Sequence, residues 1–241
     1  MEFVKNMGLP DKDITLFICD RMCEKIDLAK VVPSYEHSEI LNGIATHPDM
    51  TFCHLGGNKC VVAKEAYEYY KEHLSQYGLE IIKGKNEIKK EYPYDISLNC
   101  VIINNILFHK LKYTDEAIID YCEAENIKLV NVNQGYTKCS TLIVDEKSVI
   151  TCDEKLYEIY LENKISALYV SNKGIEINGF DHGFIGGCGG KISKEKIGFF
   201  GELEKFADFV KVREFLKKHN IEYVNLRKGM LKDYGTLIPL K

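Results

Sequence analysis

The chain has 241 residues, 45% hydrophobic and 28% charged, with 32 basic and 36 acidic side chains and a net charge of −4. That length can bury about 70–75% of the unfolded surface, and the near-balanced charge argues against the basic stripe of a nucleic-acid binder. No apolar run approaches the ~18 residues of a membrane span, and Met1-Glu2-Phe3-Val4-Lys5-Asn6 lacks the apolar core of a secretion signal. The nine cysteines are odd in number and contain no C-x-x-C pair, so neither a disulfide framework nor a typical zinc site is expected. The expectation is one domain over residues 1–241, with reduced thiols in a cytoplasmic setting.

In chain order, a strand at 14–19 and a helix about 24–30 come first. A hairpin follows (50–55 and 60–63, turning at Gly56-Gly57), then a helix at 64–77 and a strand at 79–82. The same order recurs: hairpin 96–109 turning at Asn104-Asn105, helix 114–125, strand 127–132. It recurs again as hairpin 139–151, helix 154–163 and strand 167–170, then as hairpin 191–200, helix 206–219 and strand 221–226. The residues just ahead of the hairpins are Asp49, Asp95, Lys138, Gly187 and Gly235, at spacings of 46, 43, 49 and 48. A near-constant period signals a repeated supersecondary unit, here β-β-α-β. The fifth unit is split, with the C-terminal strand 235–240 expected to pair with 14–19 and leave no open edge.

Four segments at this recurrent position carry candidate chemistry. His47-Pro48-Asp49 places an imidazole, which titrates near neutral pH, beside a carboxylate. Tyr92-Pro93-Tyr94-Asp95 supplies a second carboxylate, suited to a cation. Gln134-Gly135-Tyr136-Thr137-Lys138-Cys139 sets a thiol beside a cation, a setting that can produce a nucleophile. Residues 179–190 hold six glycines in twelve positions together with His182, Gly187 and Cys188. Such a loop serves either close backbone approach to a ligand or crowding of strands near an axis. Cys188 is the period-mate of Cys139 and its rival as nucleophile. A thiol metal site from Cys100, Cys139 and Cys188 has no supporting ligand spacing, so no metal and no organic cofactor are expected.

These segments resemble the guanidino-modifying penteins, the superfamily of arginine deiminases and amidinotransferases. His47-Pro48-Asp49-Met50-Thr51-Phe52 is similar to their H-x-D-x-x-F motif. Gly135, Cys139 and Thr141 match the nucleophile motif G-x-x-H-C-x-T, with Lys138 in place of its His. The spacing H-P-D, Y-P-x-D-x-x-x-N (to Asn99), Q-G-Y-x-K-C-S (from Gln134) and G-F-I-G-G most resembles a clostridial-type branch of that fold. The F-x-R-D and E-G-G-D segments of the enzymes are missing. The resemblance implies an α/β propeller of five β-β-α-β modules around a pseudo-fivefold axis. It further implies a Cys-dependent hydrolase or transferase of a small amidine or guanidino compound. In that reading Cys139 is the nucleophile and His47 the general acid/base, and Asp49 and Asp95 hold the cation. Asn99, Gln134, Lys138, His182, Gly187 and Cys188 complete the expected binding set. The alternative is a non-catalytic module of the same fold that binds a small polar ligand or a partner protein. The expected partner is a small cationic molecule, with neither nucleic acid nor membrane.

Overall fold

Each recurrent unit of the sequence forms its own three-stranded sheet. The computed structural model describes residues 2–23 and 26–241. The chain begins with β1 (Leu16–Cys19) and β2 (Lys30–Pro33), then a single helical turn, α1 (Pro48–Thr51). Next come β3 (Phe52–Gly56), β4 (Lys59–Val62), α2 (Tyr67–Leu74) and β5 (Glu80–Lys83). The following unit is β6 (Val101–Ile103), β7 (Ile106–His109), α3 (Glu116–Ala124) and β8 (Lys128–Asn131). It is succeeded by β9 (Thr141–Asp145), β10 (Ser148–Thr151), α4 (Glu154–Glu162) and β11 (Ser166–Tyr169). The last elements are β12 (Gly189–Ser193), β13 (Lys196–Phe199), α5 (Phe209–Lys218), β14 (Glu222–Asn225) and β15 (Ile238–Pro239).

The five sheets are β15-β1-β2, β3-β4-β5, β6-β7-β8, β9-β10-β11 and β12-β13-β14. In each, the first two strands are antiparallel and the third is parallel to the second. A tight turn can join only antiparallel strands, whereas the parallel partner requires a crossover, supplied by α2 to α5 in four units. Asn104 and Asn105 both take positive φ (50° and 59°), as a two-residue hairpin turn demands. Asp115 and Asp153 cap α3 and α4 by accepting from Ala117 N and Leu156 N. Gly78, Asn126, Lys164 and Asn220, all at positive φ, end the four helical segments.

The terminal strands complete one sheet: Phe17 pairs with Pro239 and Ile18 with Ile238. Its crossover differs from the expectation of a helix about 24–30. Residues 26–29 form no helix, with a bend at 28–29, and Glu24 and Lys25 lie outside the described residues. Asp20 Oδ1 accepts from Met22 N at 2.7 Å, a local turn that competes with helix formation. The hairpin strands also begin later than expected, at Phe52, Val101 and Thr141. The residues ahead of them form turns instead, because their backbone groups bond to neighbouring units.

Those bonds run from unit to unit. Asn99 Nδ2 donates to Asp49 O (3.3 Å), Lys138 N to Asn99 O (3.1 Å) and Gly187 N to Cys139 O (3.2 Å). Tyr234 N donates to Gly187 O (2.9 Å), and Asp49 N returns to Gly235 O (3.4 Å). All five recurrent turns are thereby joined, the last to the first. The core divides into three clusters beneath the sheets. Two fully buried helix tyrosines, Tyr70 and Tyr160, each bond a threonine, Thr51 and Thr141, at 3.0 Å. No helix among the described residues is long and apolar enough to cross a membrane.

Candidate active site

Cys139 lies in the turn ahead of β9 and is clamped from the turn ahead of β6. Asn99 Oδ1 accepts from Lys138 N (2.8 Å) and Cys139 N (3.1 Å), while Nδ2 donates to Cys139 Sγ (3.1 Å). The thiol donates to Asp49 Oδ2 at 3.1 Å, and the Thr236 hydroxyl reaches the same oxygen at 2.8 Å. Lys138 Nζ donates to Thr236 Oγ1 (3.2 Å) and Thr141 O (3.4 Å), and Asp49 Oδ1 has no partner. Every one of these side chains is buried. Burial, followed by the charges of Asp49 and Asp233, pushes the Cys139 thiol well above its ordinary pKa, with the Asn99 amide opposing. Burial raises Asp49 to about 6, against the pull of His47 and Lys138. Burial also holds the Lys138 ammonium below its usual value, with Asp49 opposing.

His47 sits between two carboxylates of the unit built from both chain ends, β15-β1-β2. Its Nδ1 is 3.7 Å from Asp233 Oδ1 and its Nε2 is 4.0 Å from Asp20 Oδ2, both beyond hydrogen-bond length. Nδ1 is left unpartnered. Burial lowers the His47 pKa while Asp49 and Asp20 draw it up, so the resting imidazole at neutral pH is uncharged. Asp233 is fixed by Gly235 N (2.9 Å) and Phe184 N (2.8 Å), and burial raises it to about 6. Asp20 is fixed by Met22 N and the Thr46 hydroxyl, and burial raises it too.

A cavity of about 250 Å³ lies over Cys139, His47 and Asp233, walled by Tyr136, Phe180 and Phe184. Behind it, a void of about 30 Å³ is lined by Asp49, Lys138, Thr236, His54 and Lys191. The adjacent Lys138 and Cys139 thus border different spaces. His47, Asp49 and Cys139 each offer one ligand atom, all within 4.8 Å of one another, and are the described residues best placed to hold a metal ion.

The structure brings His47, Asp49, Asn99, Lys138 and Cys139 into one connected cluster. His182 stands at the cavity wall, exposed, within 2.9 Å of Asn172 Nδ2. Asp95 lines neither space; its Oδ2 accepts from the Tyr136 hydroxyl at 2.6 Å and fixes that ring. Gln134 braces its own turn through Tyr136 N (3.0 Å) and Asp153 Oδ2 (2.9 Å). Gly187 acts through its backbone and its missing side chain, since a Cβ there would overlap the Asp233 carboxylate. Cys188 is packed in the core with its thiol toward Phe184 O (3.2 Å), outside the cavity. Sequence reasoning passed over Asp233, Asp20 and Tyr136. Asp233 did carry a signal: it precedes Gly235 by two residues, as His47 precedes Asp49 and Tyr136 precedes Lys138. All three line the cavity.

Solved structures similar to this chain include guanidino-modifying enzymes of the pentein fold. SxtG, an amidinotransferase from Microseira wollei in the saxitoxin biosynthetic pathway, is 11% identical over 92% of this chain and 91% of its own, with a TM-score of 0.56. Agmatine deiminase from C. jejuni is 10% identical over 91% and 90%, TM-score 0.52. DDAH from Pseudomonas aeruginosa is 8% identical over 89% and 93%, TM-score 0.51. At such identities the likeness establishes a mixed α/β fold of five small sheets and leaves the reaction open. No curated protein sequence matches. The model of DUF6873, a family of unknown function, matches residues 18–238, and the chain belongs to that family.

Proposed function

We propose that this chain is a cysteine-dependent hydrolase or transferase of a small amidine or guanidino compound. The observation that carries the reading is that Cys139, His47 and Asp233, from three different units, line one cavity. The fold likeness to an amidinotransferase and a deiminase supports it. The unit-to-unit bonds support a closed ring of five modules about a pseudo-fivefold axis, spanning residues 1–241 as one domain. Nine cysteines, none of them in a disulfide, accord with a reducing, cytoplasmic setting.

In this mechanism Asp233 attracts the planar cation to the cavity floor. The Cys139 thiol passes its proton to Asp49 Oδ2 as sulfur bonds to the amidinium carbon. A cationic substrate favours this step by offsetting the nearby carboxylates that hold the thiol neutral. The proton moves on from Asp49 to the uncharged His47, which delivers it to the departing nitrogen, and the carbon–nitrogen bond breaks to leave a thiouronium. Water, or an acceptor amine, attacks that carbon and returns a proton to His47. The carbon–sulfur bond then breaks and sulfur recovers that proton from His47 through Asp49; in hydrolysis the surplus proton of the product passes to the released amine, and in transfer the product keeps it as the cation. One cation enters and one leaves.

The test is release of amine or ammonia from a panel of amidines and guanidines, alongside Cys139→Ala and His47→Ala. The first variant should abolish turnover, and the second should reduce it by about 10²–10⁴-fold. A 2-haloacetamidine, an alkylator carrying the amidinium group, should label Cys139 in preference to Cys152. Turnover that survives Cys139→Ala would overturn the mechanism.

A further inference from the structure

Building on that reading of Cys139, we infer that the substrate is cationic at both ends: an amidine or guanidine head with an ammonium tail. Carboxylates occur at two levels of the cavity. Asp233 is buried at the floor, and Asp181 is exposed in the loop that forms the wall. Among the described residues, no lysine or arginine lines this space. The nearby Lys138 borders the void behind, with Nζ committed to Thr236 and Thr141. A carboxylate-tailed guanidine would therefore meet Asp181 or Asp233 with no lysine or arginine to receive it.

The walls suit a methylene chain ending in an ammonium. Tyr136 and Phe184 face each other obliquely, with centroids 6.3 Å apart, and Phe180 adds a third ring. Ring faces attract cations while their bodies cover apolar chain. These walls are fixed before any ligand arrives. Asp95 holds the Tyr136 hydroxyl, and Asp233 holds Phe184 N. The Phe180 ring packs so closely on Gly43 that a Cβ there would lie 2.7 Å from Cε2. At the floor, the buried His47 Nδ1 has no partner, as expected of a group that awaits a ligand atom.

Three probes, each with a four-carbon chain, isolate the tail: 4-aminobutylguanidine, n-butylguanidine and 4-guanidinobutanoate. Two readouts are taken on the full chain: protection of Cys139 from alkylation by mass-spectrometric mapping, and release of amine or ammonia. Affinity should fall in that order, by at least about tenfold from the ammonium to the carboxylate tail. Asp181→Lys, a change at an exposed position, should narrow the gap by roughly two- to fivefold, as for a solvent-exposed ion pair. Protection by the carboxylate compound equal to or better than that by the amine overturns the tail assignment and leaves the cysteine chemistry standing. Protection in the expected order without any turnover supports the tail assignment and counts against catalysis. No protection by any of the three overturns the tail assignment, whatever other amidines are turned over.

Discussion

Replacing Asp49 with Asn separates what burial costs from what the carboxylate does. Asp49 is 1% exposed and its carboxyl is raised to about 6, chiefly by burial. The unfolded value is about 3.9. The folded chain therefore binds this proton more tightly, and stability falls as pH rises from about 4 to about 6. Two units at about 1.4 kcal/mol each place about 3 kcal/mol of destabilisation at pH 7, nearly absent at pH 4. That figure already contains the attraction of Lys138 and His47. Asparagine keeps an oxygen for Thr236 and Cys139 and cannot ionise. Its amide takes the place of the unpartnered Oδ1, and an unsatisfied buried donor costs about 1 kcal/mol or more. Asp49→Asn is expected to be more stable than the parent by roughly 1–2 kcal/mol at pH 7.5, by urea unfolding. The advantage should vanish or reverse at pH 4. Parallel stability curves for the two proteins from pH 4 to 7.5 would refute the argument, because the buried charge would then carry no cost.

Other perturbations test neighbouring links. In the free protein Cys139 should alkylate with neutral iodoacetamide more slowly than the partly exposed Cys152 at pH 7, and the order should reverse with a 2-haloacetamidine, which carries its own amidinium; site-resolved mass spectrometry reads both. Gly187→Ala should displace Asp233, whose carboxylate occupies the space of the new Cβ, and lower stability by about 2–4 kcal/mol in urea unfolding. Asn99→Ala leaves Cys139 N without an acceptor and should cost about 1–3 kcal/mol in the same assay. Asn99→Asp keeps that acceptor but sets a carboxylate against sulfur, so its signature should be a shift of the Cys139 alkylation profile to higher pH.

The period was legible because each unit repeats one local programme. Glycine or asparagine closes the first two hairpins, an aspartate caps α3 and α4, and a residue at positive φ ends each helical segment. The pairing of residues 14–19 with the C-terminal strand followed from the same count and appears as Phe17 opposite Pro239. The orientation of the site residues was less accessible. Strand alternation cannot be applied to residues 48–51, which form a helical turn, or to Lys138 and Cys139, whose amides bond to Asn99. The glycine-rich segment admitted two explanations, and its backbone explains the crowding directly. Gly186 is pressed against the carbonyls of Lys138, Cys139 and Thr141, and Gly187 against Asp233. Asp20 gave no signal, since one acid after a strand is ordinary and only the fold carries it to His47.

The buried polar cluster is better explained by chemistry than by stability. Asp20, Asp49 and Asp233 are each raised by burial, and Lys138 is lowered by it, so the folded state holds ionisable groups against their solvation preference. A core selected only for stability would replace such groups with apolar side chains of similar volume. The expense falls where five turns from five units meet. Asn99, Cys139, Gly187, Thr236 and Asp49 come one from each, and every one bonds another of them or the backbone beside it. No single unit holds both the thiol and its acceptor, or both the imidazole and its nearest carboxylate. A change in one turn must therefore act on residues contributed by others. Gly235, at φ 69°, shows the coupling: a Cβ there would press on His47 from a different unit, 188 positions away in sequence.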